Sequence, residues 1–204
     1  MKKIICISPD LFLSKSLAIV GSSGSLGSGK YGKKIDRFDD VIRFNRAPTE
    51  GFEEMVGSKR TLTVANSHVF ANIQLRKKSG WKQKHVSFIE DLRETRVLLF
   101  APANMRWKNR YKYIHASVVP YSVDYKAMCK LVPVPKRQPT AGFGFINLCV
   151  KSGLKPHLFG FDVEPRQRDH YWEERDNDTS WHSVGYEKEV LKKMHKKGMI
   201  VLHS

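Results

Sequence analysis

The chain has 204 residues, 41% of them hydrophobic and 27% charged, which suits one globular domain with its own core and excludes a disordered chain or a pair of full-sized domains. With 36 Lys and Arg against 20 Asp and Glu the net charge is +16, a field that draws phosphorylated substrates, anionic membrane surfaces and polyanions without choosing among them. Cys6, Cys129 and Cys149 form no CxxC pair and leave one thiol over, which argues against a disulfide framework or a cysteine-rich zinc site and fits a reducing cytosol.

The opening MKKIICISPD carries two lysines but only a short apolar run before Ser8-Pro9-Asp10, less than the roughly 7–15 apolar residues of a signal peptide. No later stretch approaches the roughly 18 uninterrupted apolar residues of a membrane span, so the expectation is a cytoplasmic protein with no anchor in this chain. Short β-branched runs predict strands at Ile4–Ile7, Leu17–Val20, Val41–Phe44, Leu62–Val64, Val97–Phe100, Ala116–Val119, Leu158–Phe161 and Ile200–Leu202. Phe143–Lys151 and Tyr186–Lys196 read as helices. The alternation predicts a single α/β domain over 1–204, a mostly parallel twisted sheet flanked by helices. Leu131–Pro139, with three prolines, reads as an extended surface loop leading to the Thr140-Ala141-Gly142 turn. Arg166–Trp181 is polar, aromatic and without helical period, a loop that is either filler or part of a site.

The strand Leu17–Val20 runs into Gly21-Ser22-Ser23-Gly24-Ser25-Leu26-Gly27-Ser28-Gly29-Lys30-Tyr31-Gly32. Glycines let backbone approach a ligand, and free N–H groups and hydroxyls suit phosphate oxygens, so anion binding is expected here; the plain alternative is a surface hairpin of small residues. Gly24 to Lys30 matches the GxxxxGK spacing of a P-loop, but Tyr31 stands where a Ser or Thr would hold Mg²⁺. Gly27, Gly29 and Gly32 satisfy GxGxxG, yet the pattern begins several residues after the strand rather than at its end.

Four stretches, taken in order, carry a family resemblance. LAIVGSSG, KKIDRFDDVIRFNRAPT and GFEEMVGSKRT, from Leu17 to Thr61, resemble the large sialylmotif of the eukaryotic-type sialyltransferases, glycosyltransferase family 29. Pro139–Gly142 with Phe143–Lys151 and His157–Asp162 resembles the small sialylmotif. His170-Tyr171-Trp172-Glu173 resembles motif III, and His182-Ser183-Val184-Gly185-Tyr186-Glu187 has the HxxxxE form of the very small sialylmotif. Ordered co-occurrence is far more specific than any one short motif.

The resemblance implies a variant GT-A-like fold, a CMP-linked acid sugar (sialic acid or Kdo) as donor, a glycan or glycolipid acceptor, and no metal or other cofactor. Carried over by position, Ser22, Ser23, Gly24 and Asn45 would meet the donor phosphate and ribose. Thr140, Ala141 and Gly142 would contact donor groups, Gly160 and Phe161 would line the nucleoside pocket, His170 would sit near the leaving phosphate, and His182 would be the general base. Three departures stand out: Ser22 replaces an asparagine, with a shorter reach to phosphate; Ala141 replaces a threonine; and Leu17 and Gly153 occupy the positions of a disulfide found in animal relatives.

An inverting transfer from a CMP-sugar requires an acceptor hydroxyl to be deprotonated and aligned, and charge on the departing phosphate to be stabilised. A histidine suits the base, and Glu187 lies close enough in sequence to His182 to orient it. His68, His85, His115, His157, His195 and His203 are expected to be packing or surface residues. Asp176-Asn177-Asp178 spells DxD, the metal-holding pair of other glycosyltransferases, but a carboxylate pair in a polar loop is more often simply solvated. Two rival functions are an NTPase or kinase, on Gly24–Lys30, and a nucleic-acid-binding domain, on the runs Arg76-Lys77-Lys78, Arg106–Lys112 and Lys192–Lys197. The runs lack an accompanying nucleic-acid motif, so a solvated face and no nucleic-acid partner are expected. The positive field suits peripheral contact with an anionic membrane surface.

Overall fold

A computed structural model of the protein describes residues 13–45, 47–66, 96–101, 120–124, 139–162, 170–172 and 184–203. Its centre is β1 (Leu17–Val20), whose four residues are all buried. This is the pattern of a strand covered on both faces, and it explains why the run is continuously apolar rather than alternating. Leu17 and Ile19 face one cluster with Ile42, Phe44, Leu62, Val64, Phe143, Ile146 and Leu158. Ala18 and Val20 face another with Leu26, Ile35, Val41, Val56, Phe159 and Tyr171.

The other strands among the described residues are β2 (Asp40–Phe44), β3 (Leu62–Asn66), β4 (Arg96–Ala101), β5 (Pro120–Asp124), β6 (His157–Phe159) and β7 (Val201–His203). They form one seven-stranded sheet in the order β5-β4-β3-β2-β1-β6-β7, and every pairing is parallel. The described helices are two short ones, α1 (Gly32–Ile35) and α2 (Glu53–Val56), and two long ones, α3 (Ala141–Lys151) and α4 (Val184–Lys196). α3 lies on the Leu17 face of the sheet through Phe143, Phe145, Ile146 and Cys149, and α4 joins it there through Leu191. None of the described helices is long and apolar enough to cross a membrane.

The α/β expectation with a parallel sheet holds, and several boundaries move. The strand read at Leu158–Phe161 stops at Phe159, because Gly160 turns the chain at φ 69°. Ala116–Val119 lies outside the described residues, and a strand is found directly after it at Pro120–Asp124. The last strand lies one residue later than Ile200–Leu202. Both helices start two residues before their apolar patterns do, at Ala141 and Val184, where the first turn carries small residues. Ile4–Ile7 lies outside the described residues. Cys149 is a free thiol inside α3, and burial pushes its ionisation far up, so it acts as a small apolar side chain.

β7 edges the sheet and carries His203 onto β6. The imidazole stacks on Phe159 at 4.2 Å between centroids. Lys34 Nζ is 3.1 Å from its Nδ1, and its Nε2 is 2.9 Å from His157 Nδ1. An ammonium only donates, so His203 Nδ1 accepts and its Nε2–H donates to His157, a chain satisfied with both rings neutral. Burial first, then Lys34, His157 and His195, hold His203 down at about 4; burial, Lys34 and Lys155 also lower His157. An unfolded imidazole titrates near 6.5, so its contribution to stability is present above that pH and is lost as the pH falls toward 4. The melting temperature should therefore decline below about pH 6.5, and His203→Gln should flatten the decline above about pH 5, where carboxylates are still ionised. A variant with the native slope in that window would show that this imidazole carries no linkage.

Candidate functional site

The strand order has one reversal. After β1 the chain builds β2 to β5 on one side, then returns to lay β6 and β7 on the other. In open parallel sheets the crevice beyond the carboxyl ends of the strands at such a reversal is where ligands bind. Its two lips here are Gly21-Ser22-Ser23 after β1 and Gly160-Phe161-Asp162 after β6.

The lips touch backbone to backbone. Gly21 N–H donates to Phe159 O at 2.7 Å and Ser23 N–H to Gly160 O at 3.2 Å. A Cβ on Gly21 would collide with the Gly160 carbonyl, and one on Gly160 with Leu26. Gly142 serves the third approach: a Cβ there would lie 2.9 Å from the Phe161 ring, so the first turn of α3 rests on Phe161, which also meets Phe44 edge-on at 6.2 Å. Asn45 ends β2 at the same edge of the sheet. It sits in the left-handed region at φ 50°, which Asn tolerates better than most residues, and its N–H donates to Val64 O at 2.9 Å.

The serines of the turn are not equivalent. Ser23 is 2% exposed; its hydroxyl donates to Asp162 Oδ2, and the Ser25 hydroxyl donates to Asp162 Oδ1. The carboxylate thus clasps one lip to the other. Sequence reasoning placed Ser23 toward a phosphate and did not single out Asp162.

His170 is held beside the turn by its neighbour Tyr171. Tyr171 N–H donates to Ser22 O at 3.0 Å, its hydroxyl donates to Pro48 O, and its ring stands edge-on to Phe52 at 5.2 Å. Burial pushes the phenol up to about 12, keeping it a neutral donor. Beneath it Arg43 is 1% exposed. Its guanidinium donates to Val56 O at 2.6 Å and to Gly57 O and Lys59 O, both at 3.0 Å, fixing the loop after α2. Its Nη1 has no hydrogen-bond partner among the described residues. Desolvation, then the nearby Arg60, lowers it to about 10, so it stays charged at neutral pH.

Thr140 caps α3: its hydroxyl accepts from Phe143 N–H at 3.1 Å. A capping box would place a Glu at position 143 to take the Thr140 N–H. Phe143 stands there, and Glu187 of α4 supplies the carboxylate instead, accepting from Thr140 N–H at 2.7 Å and from the Thr140 hydroxyl at 2.7 Å. This buried, long-range box ties α4 to the start of α3. The Thr140 hydroxyl is thereby engaged as donor and acceptor at once.

Ser22, Ser23, Gly24, Gly142, Gly160, Phe161 and His170 therefore converge on one crevice, with Asn45 on its strand edge and Ala141 in the adjoining turn. His182, Glu173 and the Asp176-Asn177-Asp178 stretch lie outside the described residues, as do His68, His85, His115 and the basic runs at 76–78 and 106–112. Among the described residues no group of three His, Cys, Asp or Glu side chains could hold a metal. The two glycine patterns take a local form. Gly24–Ser28 is a 3₁₀ turn, and Lys30 points outward to pair with Glu54 at 2.9 Å. Gly32 starts α1 where a Cβ would strike the carbonyl of Glu53 in α2. Lys193, Lys196 and Lys197 form an exposed, solvated face on and just past α4.

The family model of glycosyltransferase family 29 (sialyltransferase) matches residues 14–199. A beta-galactoside alpha-2,6-sialyltransferase 2 of Danio rerio is 30% identical over 203 aligned positions, which take in 88% of this chain and 39% of that protein. A beta-1,6-galactosyltransferase of Arabidopsis thaliana is 44% identical over 66 residues, 32% of this chain and 16% of its own length. This chain thus spans about two fifths of the length of the zebrafish protein. A crystal structure of a mammalian sialyltransferase in complex with Gal-beta-1-3GalNAc-ortho-nitrophenol superposes with a TM-score of 0.61 at 25% identity, covering 92% of this chain and 68% of the other. A second mammalian sialyltransferase structure gives 0.62 at 24% identity over the same shares.

The Glu187 carboxylate should be a strong stabiliser. Glu187→Ala is expected to lower unfolding free energy by about 1–3 kcal/mol, since it leaves a half-buried N–H and hydroxyl without their acceptor. Thr140→Ala should cost about 1 kcal/mol through the lost cap. Urea denaturation of both single variants and the double should reveal coupling; strictly additive losses would mean that the two residues do not act as one box.

Proposed function

The chain belongs to glycosyltransferase family 29, and from that premise we propose that it is an inverting glycosyltransferase that moves an acid sugar, sialic acid or Kdo, from a CMP-linked donor to a hydroxyl of a glycan or glycolipid. The observation that carries this reading is the meeting of motif residues distant in sequence at one switch-point crevice: the Ser22 turn, Gly160-Phe161, Gly142 and His170.

In this reading the nucleotide lies across the two lips, its phosphate at the Ser22 turn and Asn45, its nucleoside toward Gly160 and Phe161. His182 takes the proton of the acceptor hydroxyl. The acceptor oxygen then attacks the anomeric carbon from the face opposite the leaving group, the bond from that carbon to the phosphate oxygen breaks, and CMP departs with the electron pair. His170 donates a hydrogen bond to the phosphate as charge gathers there. α4 begins two residues after His182 and is fastened through Glu187 to Thr140, so the box at the α3 cap also steadies the approach of the base. A single phosphodiester charge is within reach of hydrogen-bond donors alone, which supports metal-independent transfer. Cytoplasmic action at an anionic membrane surface is part of the proposal, on the charge of the chain.

Calorimetry should give tighter binding of CMP than of UMP or ADP, and CMP release from CMP-sialic acid or CMP-Kdo in the presence of an acceptor should survive EDTA. Equal affinities for the three nucleotides would remove the donor reading, and Mn²⁺-restored activity after chelation would overturn metal independence. His182→Ala should depress transfer by roughly 10²–10⁴-fold with CMP affinity nearly unchanged, whereas His170→Ala should weaken CMP binding along with the rate. Near-normal turnover of a folded His182→Ala at saturating substrate would assign the base elsewhere.

A further inference from the structure

We propose that Asp162 is a specificity-determining residue that reads the ribose of the nucleotide donor, an inference that rests on the donor reading above. Asp162 follows the β6 lip directly, and its carboxylate spans the crevice to the β1 lip, one oxygen taking the Ser23 hydroxyl and the other the Ser25 hydroxyl. Each carboxylate oxygen has two acceptor positions. One serine occupies one position on each oxygen, which leaves a second on each, side by side and in an orientation the serines fix.

A pair of adjacent acceptors held in this way matches two adjacent donors, and in a nucleotide the vicinal 2′ and 3′ hydroxyls of ribose are such a pair. Position agrees with chemistry. A ligand with its phosphate at Ser22 and its base toward Gly160-Phe161 must bridge the interval with its ribose, and Asp162 is bonded to the residue after Ser22 and follows the residue after Gly160. A carboxylate suits neither the phosphate, which it would repel, nor a merely mechanical clasp, which Asn would provide without placing a negative charge beside a phosphate turn. Reading of ribose by an acidic side chain at a switch-point crevice has general precedent in dinucleotide-binding sheets. The buried Ser23 and exposed Ser25 are then positioning residues, and the phosphate falls to Ser22, Asn45 and His170.

The test uses the full chain and three probes by calorimetry: CMP, 2′-deoxy-CMP and 3′-deoxy-CMP. The native protein should bind each deoxy analogue about ten- to a hundredfold more weakly than CMP, the loss expected for a hydrogen bond to a charged acceptor. Asp162→Asn should bring CMP near the affinity of its analogues, and Ser25→Ala, at an exposed position, should narrow the gap in part. A purely structural Asp162 would lower the melting temperature of Asp162→Asn and leave the ratio intact, which overturns the proposal. Equal binding of all three probes by the native protein overturns it without need of any variant, while a retained preference for CMP over UMP would leave the donor reading standing. Failure of the native protein to bind CMP at all removes both.

Discussion

The site depends on how closely two loops can approach at the ends of β1 and β6. Parallel strands bring their carboxyl ends together as a matter of course, but the chains that leave them normally carry side chains that hold the loops apart. At Gly21 and Gly160 there are none: the Gly160 carbonyl fills the space a methyl group would need at Gly21, and the Leu26 side chain fills it at Gly160. The direct Ser23–Gly160 hydrogen bond, the reach of Asp162 to Ser23 and Ser25, and the seat of Phe161 between Gly21 and Gly142 all follow from that proximity. The left-handed turn at Gly160 ends β6 early enough for Phe161 and Asp162 to face the crevice instead of continuing the sheet.

Below the lips the structure spends polar groups on rigidity. Arg43 is buried, and its three bonds to carbonyl oxygens give the loop after α2 a fixed path. Tyr171 packs into the cluster of Ala18, Val20 and Phe159 and holds His170 beside Ser22 by a main-chain bond. Removing one partner from such an arrangement is costly because the other is left buried and unsatisfied. Thr140 and Glu187 do the same for the two long helices. Groups that would meet a ligand are therefore carried on loops whose own conformations are over-determined, which is how a loop can hold a site without wandering.

Much of this was legible from local chemistry. Leu17–Val20 is a strand at the bounds its apolar run marks, because a strand buried on both faces needs no alternation; the candidate site residues Ser22, Asn45, Thr140, Gly160 and His170 were named by the family resemblance rather than by local chemistry. Missed were the pairings between residues far apart in the chain. Asp162 and Ser23 are separated by 139 residues and Glu187 and Thr140 by 47, distances over which periodicity and turn chemistry carry no information. One signal was available in retrospect: Thr140 begins a helix with the cap of a capping box but without its Glu at 143, and a half-built box implies an acceptor from elsewhere. The GxGxxG and GxxxxGK spacings, each discounted in sequence on a mismatch, carry a general ambiguity. A glycine needed for close packing, as at Gly32 against Glu53, is indistinguishable in sequence from one needed for a phosphate.

Charge and selection act here on different length scales. The net charge of +16 is a property of the whole surface, and at about 0.1 M salt it is screened beyond about 10 Å, so it speeds the arrival of any phosphate without distinguishing one nucleotide from another. Choice has to be made within hydrogen-bond range, by groups whose donor or acceptor character is fixed. At this crevice the strongest fixed acceptor among the described side chains of the two lips is the Asp162 carboxylate, and it is a local exception to the sign of the protein's field. On the donor reading proposed above, a negative group at the mouth of the site would weaken the long-range attraction slightly and contribute direction in return. In the proposed pose the phosphate would turn toward the hydroxyl of Ser22 and the ring nitrogens of His170, and the hydroxyl-bearing part of the ligand toward Asp162. Orientation of the leaving group in an inverting transfer fixes the line of attack, so in the proposed reaction an acceptor that orients the nucleotide would act on the geometry of the reaction as well as on the identity of the donor.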